Sequence, residues 1–141
     1  MKEKIQIRTE QLSCSQLHAA TRSWISSMRF IEDELTFIEN LLHSYVFEPN
    51  TPNLFERLQD YLERLQTINK QKKNITKQLR EHENSLSGVL ECKDHPGGKS
   101  YRDRHRELHI EYLLFETDYQ KLKTEIFNYA GGVLKKRKPP S

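Results

Sequence analysis

The ligating and reactive side chains of this chain are six histidines, two cysteines and a run of basic residues. Neutral imidazoles bind divalent metals when two or three converge, so their positions matter more than their number. If the chain folds back at about residues 49 and 96, His18, His82 and His109 reach similar heights at one end of a helical hairpin. His105 then lies one turn away and shares a helix face with His109. The spacing is not the H-E-x-x-H of zinc proteases, because Arg106 follows His105. We read these as partly buried, hydrogen-bonded histidines with no metal and no cofactor. A metal layer built from His18, His82 and His109 is the sharper alternative.

Gly98-Lys99-Ser100 invites a phosphate-loop reading, but that pattern needs glycine where Lys93 stands and a strand before it. What remains is a helix start, whose free N–H groups attract anions. Lys99, Arg102 and Arg106 stand there, and Lys135, Lys136, Arg137 and Lys138 form a second basic group near the end of the sequence. Together they are the candidate anion-binding residues, for weak contact with nucleic acid or an acidic membrane. The net charge is only +3. Because the terminal basic run alone exceeds this, the body of the chain is close to neutral, and no nucleic-acid surface is expected to cover it.

The remaining chemistry is sparse. Lys72 interrupts an apolar series and is expected to form a polar layer that fixes register. The carboxylates lack the Glu-x-x-His pairs of di-iron bundles. Cys14 and Cys92 are placed about two helical turns apart by their positions, too far for a bond, and are expected to be free thiols. No serine-nucleophile motif occurs. These observations disfavour an enzyme with a small-molecule substrate.

The elements that carry these residues follow from periodicity. Leu17, Thr21, Trp24, Met28, Ile31, Leu35, Ile38, Leu42 and Tyr45 alternate steps of four and three, the heptad spacing of a helix with one apolar seam. Ser13-x-x-Gln16 is a capping box at its start. Pro49 and Pro52 end it. A second seam runs Leu54, Leu58, Tyr61, Leu65, Ile68, Lys72, Ile75, Leu79, His82, Leu86, Val89. Asp94-His95-Pro96-Gly97-Gly98 breaks it. The third reads Tyr101, His105, Leu108, Tyr112, Phe115, Tyr119, Leu122, Ile126, Tyr129, with Gly131-Gly132 as the expected C-cap.

The expected fold is all-α: an elongated, antiparallel, up-down-up three-helix bundle with coiled-coil-like seams. Its helices span about 12–47, 53–91 and 100–131, within one domain over 1–134, followed by a basic disordered tail at 135–141. Only 35% of residues are hydrophobic and 30% are charged, which suits thin helical architecture better than a thick α/β core. No stretch is apolar enough to span a membrane and residues 1–15 lack a secretory h-region, so a soluble cytoplasmic protein is expected.

Phe30, Phe37 and Leu41 form a stripe beside the first seam. They either widen the apolar face to cover a third helix or present a surface to a protein partner or a second copy. The functional expectation is a non-enzymatic interaction or scaffold module using Phe30, Phe37 and Leu41. The alternative is polyanion binding through the basic residues named above.

Overall fold

The structure is a computed structural model that describes residues 12–44, 52–85 and 96–136, with side chains described from 101 to 133 in the last stretch. Three helices fill these stretches: α1 (Cys14–Leu42), α2 (Pro52–Asn84) and α3 (Pro96–Lys136). No strand occurs among the described residues. The helix pairs pack as an all-α three-helix bundle.

The heptad seams become the core. Met28, Ile31, Leu35, Ile38 and Leu42 of α1 are buried in one cluster with Leu58, Tyr61, Leu65, Ile68, Ile75 and Leu79 of α2, while Leu17 clusters with Cys14 and Tyr101, and Thr21 is buried as well. Every expected α3 seam residue from Tyr101 to Tyr129 is buried as well, and Val133 extends the series. One position differs. Ile25 takes the buried place expected of Trp24, and Trp24 packs half-buried at the core edge. Ile25 and Trp24 flank the same seam, and the smaller side chain fits against α2 while the indole spans the wider gap to α3.

Helix ends follow local chemistry. Ser13 caps α1 with a full capping box: its Oγ accepts from the Gln16 N–H at 3.1 Å, and its own N–H donates to Gln16 Oε1 at 2.8 Å. At the other end, the His43 N–H donates to Glu39 O at 3.1 Å. Helix α1 therefore ends at Leu42, before the expected residue 47, and α2 ends at Asn84 rather than 91. Leu86 and Val89, which the pattern placed on the second seam, lie outside the described residues, as does Tyr45.

Helix α3 is longer than expected at both ends. It begins at Pro96, where proline's missing N–H costs nothing in a first turn. It also runs through Gly131 and Gly132 to Lys136 instead of stopping at them. Both glycines have ordinary negative φ and open space where a Cβ would stand. Each weakens the helix by about 1 kcal/mol relative to alanine, and burial of Ala130 and Val133 on either side offsets that cost. Lys135 and Lys136 are thus helical, not part of an irregular tail. Arg137 and Lys138 lie outside the described residues.

Helix α2 packs closely against both neighbours, whereas α1 and α3 approach closely at few points. Large side chains bridge that gap. Tyr119, fully buried, donates its hydroxyl to Glu34 Oε1 at 2.8 Å, and Lys123 Nζ reaches the same carboxylate at 3.1 Å. Burial, then the Glu34 charge, pushes the Tyr119 phenol well above its ordinary range, so the hydroxyl is a donor at any physiological pH.

Lys72 is buried in the α1–α2 seam, and its Nζ lies 3.4 Å from Glu32 Oε1 at the rim. The stem fills the seam while the ammonium exits toward a largely exposed carboxylate. Such a pair is worth little, because the exposed partner is screened. Two substitutions separate these contributions in urea unfolding. Lys72→Met leaves stability within about 1 kcal/mol of wild type or raises it. Leu79→Ala, at a fully buried α2 position, lowers it by roughly 2–5 kcal/mol.

Candidate functional site

The seams bring a layer of rings together where the start of α3 meets α1 and the end of α2. His82 on α2 and His105 on α3 are buried, at 5% and 2% exposure. His82 Nε2 lies 3.2 Å from His105 Nδ1, a hydrogen bond in which one neutral ring donates to the other. Thr21 Oγ1 approaches the same Nδ1 at 3.4 Å while donating to Leu17 O at 3.0 Å. Tyr101 stacks on His82 with ring centroids 4.3 Å apart. Trp24 lies against three α3 rings, His105 at 4.8 Å, His109 at 4.7 Å and Tyr112 at 5.6 Å. One indole thus spans two turns of α3.

The electrostatics of the layer are one-sided. Burial pushes both buried imidazoles down to about 4, helped by Arg104 at His82 and by His82, His109 and Arg102 at His105. Burial also lowers His109. Only cationic groups act on the pair, so neither ring has a carboxylate to stabilise its charged form. The Tyr101 phenol is raised by burial, and its hydroxyl is buried without a hydrogen bond, the approach of Thr21 falling short of one.

This arrangement modifies the expected histidine layer. The pattern grouped His18, His82 and His109, with His105 a turn away, but the closest pair is His82 with His105. His109 is one turn along α3 from His105 and stacks on Trp24 as His105 does. His18 is half-buried, and its Nδ1 makes no hydrogen bond. Among the described residues, no group of three or more His, Cys, Asp or Glu side chains converges closely enough to hold a metal ion.

Of the candidate anion-binding residues, Arg102 is committed elsewhere. Its Nη1 donates to Leu12 O at 2.7 Å and its Nη2 approaches Cys14 Sγ at 3.6 Å, tying the start of α3 to the start of α1. Arg106 pairs with Asp103 at 3.8 Å. Lys99, Lys135 and Lys136 are helical, but their side chains are not among those described. The clearest basic concavity was missed by the sequence reading. Lys72, Lys73, Lys77 and Arg80, with Glu32 and Glu81, line a groove of about 390 Å³ along α2. Basic residues recurring at helical spacing from Lys73 to Arg80 were the available signal.

Cys14 corrects a second expectation. It is buried and disulfide-bonded, not a free thiol. The chain's other cysteine, Cys92, lies outside the described residues. The earlier separation assumed helical rise up to about residue 91. The described part of α2 reaches Asn84.

The partner stripe divides. Phe30 and Phe37 are 63% and 60% exposed, on the side of α1 opposite its seam. Leu41 is half-buried and packs on the core, so it belongs to the fold more than to the surface. Phe55 and Phe127 are the other well-exposed phenylalanines among the described residues.

Comparison with protein-family models, curated proteins and solved structures finds no significant match to this chain.

The ring layer has a signed pH consequence. Unfolded imidazoles titrate near 6.5 while His82 and His105 titrate near 4 in the fold. Between these values the unfolded chain binds more protons, so stability is complete above about pH 6.5 and falls as pH drops toward 4. Each ring contributes on the order of 2 kcal/mol to that fall. Urea unfolding at pH 7 and pH 4.5, followed by Trp24 emission, should show a larger loss for wild type than for His82→Gln/His105→Gln. Equal losses would show that the pair does not titrate in this window.

Proposed function

We propose that this chain is a non-enzymatic helical-bundle module that binds another protein surface through the outward face of α1. The observation that carries this reading is the pair Phe30 and Phe37, each more than half exposed and one heptad apart on a helix whose opposite face already builds the core. An isolated exposed phenylalanine needs no explanation, but two at heptad spacing form an apolar row that suits a partner helix. A non-enzymatic role is supported by what the buried titratable groups do. His82, His105 and Tyr119 bond to neighbouring side chains.

No helix among the described residues is long and apolar enough to cross a membrane. A disulfide-bonded Cys14 fits an oxidising compartment better than the reducing cytosol expected from the sequence.

The basic groove at Lys73, Lys77 and Arg80 supports a second reading, polyanion contact, with an anion-binding site on α2 in place of the one expected near Arg102. Its signature is retention of a labelled nucleic acid at about 50 mM salt that is lost at about 200 mM.

The interaction reading is tested by placing a photoreactive benzoylphenylalanine at position 37 of the full chain, with Gln120 on the exposed side of α3 as the control position. Irradiation should give a discrete protein adduct from position 37, in several-fold higher yield than from position 120. Equal yields from the two positions would remove the basis for the proposal.

A further inference from the structure

The core of the bundle is in two parts. On α3 the main cluster begins at Leu108 and reaches Val133, whereas Tyr101 belongs to a small separate cluster with Cys14 and Leu17. His105 falls between the two along α3, with His82 facing it from α2. Different chemistry holds the two stretches. The start of α3 is joined to its neighbours by the His82–His105 hydrogen bond, by the stacks of Tyr101 on His82 and of His105 on Trp24, and by Arg104, which donates to Gln78 Oε1 at 2.7 Å. Each of these contacts uses a ring or a neutral acceptor. Further along, the contacts end on carboxylates: Tyr119 and Lys123 meet Glu34, and Arg64 makes a two-pronged bond to Glu125 at 3.2 and 2.7 Å.

The histidine contact tolerates only some protonation states. While one facing nitrogen is bare, the other donates to it. Once both rings are doubly protonated, both facing nitrogens are donors and no acceptor remains between them. Two positive charges then stand at hydrogen-bond distance inside the bundle. The surroundings do not offset them. Arg102, Arg104 and His109 of α3 act on the pair with the same sign, and burial with these groups already holds both rings below their ordinary range. Asp103 and Glu107 pair with Arg106 and Arg104 on their own helix. Glu81 and Glu83 flank His82 on α2, and His18 and Arg22 flank Thr21 on α1. None of these four bonds to either ring among the described residues. Helices α1 and α3 also approach closely at few points, so backbone packing against α1 does little to retain the start of α3.

We propose that the His82–His105 contact is an acid-operated latch: protonation of both rings frees α3 from Tyr101 to Glu107, while α3 from Leu108 onward stays packed. Two turns of helix have no stability of their own in water, so the freed stretch unwinds. Release uncovers Leu17, which packs with Tyr101 in the closed state. The two rings titrate as a coupled pair, so opening takes up two protons together. The latch does not involve the outward face of α1.

The test is amide hydrogen exchange of the full chain at about pH 7 and about pH 5, a window above the ordinary carboxylate range. Exchange is read by mass spectrometry and corrected for its intrinsic pH dependence. Protection over residues 101–107 should fall at least about a hundredfold in wild type, and roughly tenfold in His82→Gln or His105→Gln, where one titrating ring remains. Protection over 119–130 should change less than about threefold, because that stretch opens separately. An equal loss over 101–107 and 119–130 overturns the latch, since acid then unfolds the bundle as a whole. Unchanged protection over 101–107 in wild type also overturns it. A single variant that loses as much as wild type overturns the two-proton step. The wild-type comparison of the two stretches decides the proposal even where a variant fails to fold.

Discussion

The spacing of the bundle depends on Trp24. Its indole fills the gap between α1 and the start of α3 by stacking on His105, His109 and Tyr112. Aliphatic seams bring helices to about 8–10 Å, as along α2, but rings of this size do not fit at that separation. Helix α2 therefore packs tightly on both partners, while α1 and α3 stand apart and are joined by long side chains. Further along, Tyr119, Glu34 and Lys123 bridge the same gap with polar contacts. The buried histidine pair lies beside this ring layer, across the closer α2–α3 contact. The hydrogen bond between His82 and His105 satisfies one nitrogen on each ring.

This arrangement assigns different work to the two faces of α1. The inner face supplies the aliphatic seam from Leu17 to Leu42. The outer face holds two exposed phenylalanines. Folding does not require them, because burial of the inner seam already fixes the helix. The proposed association would cover this apolar surface left outside the completed core.

Much of this was legible in the sequence. The heptad period located three helices and nearly every core residue, because one-sided burial imposes it strictly. Periodicity alone does not rank neighbouring apolar residues, so Trp24 and Ile25 exchanged places. Helix ends were less legible. Gly131 and Gly132 read as a stop because glycine lacks helix propensity, but burial of Val133 beyond them outweighs that local preference. The histidine cluster was visible as a coincidence of heights. Its true pairing was not, since a turn of error in two loops exchanges His18 for His105. The disulfide at Cys14 was not legible, because periodicity ranks burial and does not pair cysteines.

The inner face of α1 holds the fold, and the outer face is the one proposed to meet another chain. Urea unfolding of Phe30→Ala/Phe37→Ala, followed by Trp24 emission at a concentration low enough to keep the chain monomeric, tests this directly. The unfolding free energy is expected to stay within about 0.5 kcal/mol of wild type, as for surface positions. A loss of about 3 kcal/mol or more, the scale of removing buried phenylalanine, would contradict it by placing these rings within the fold.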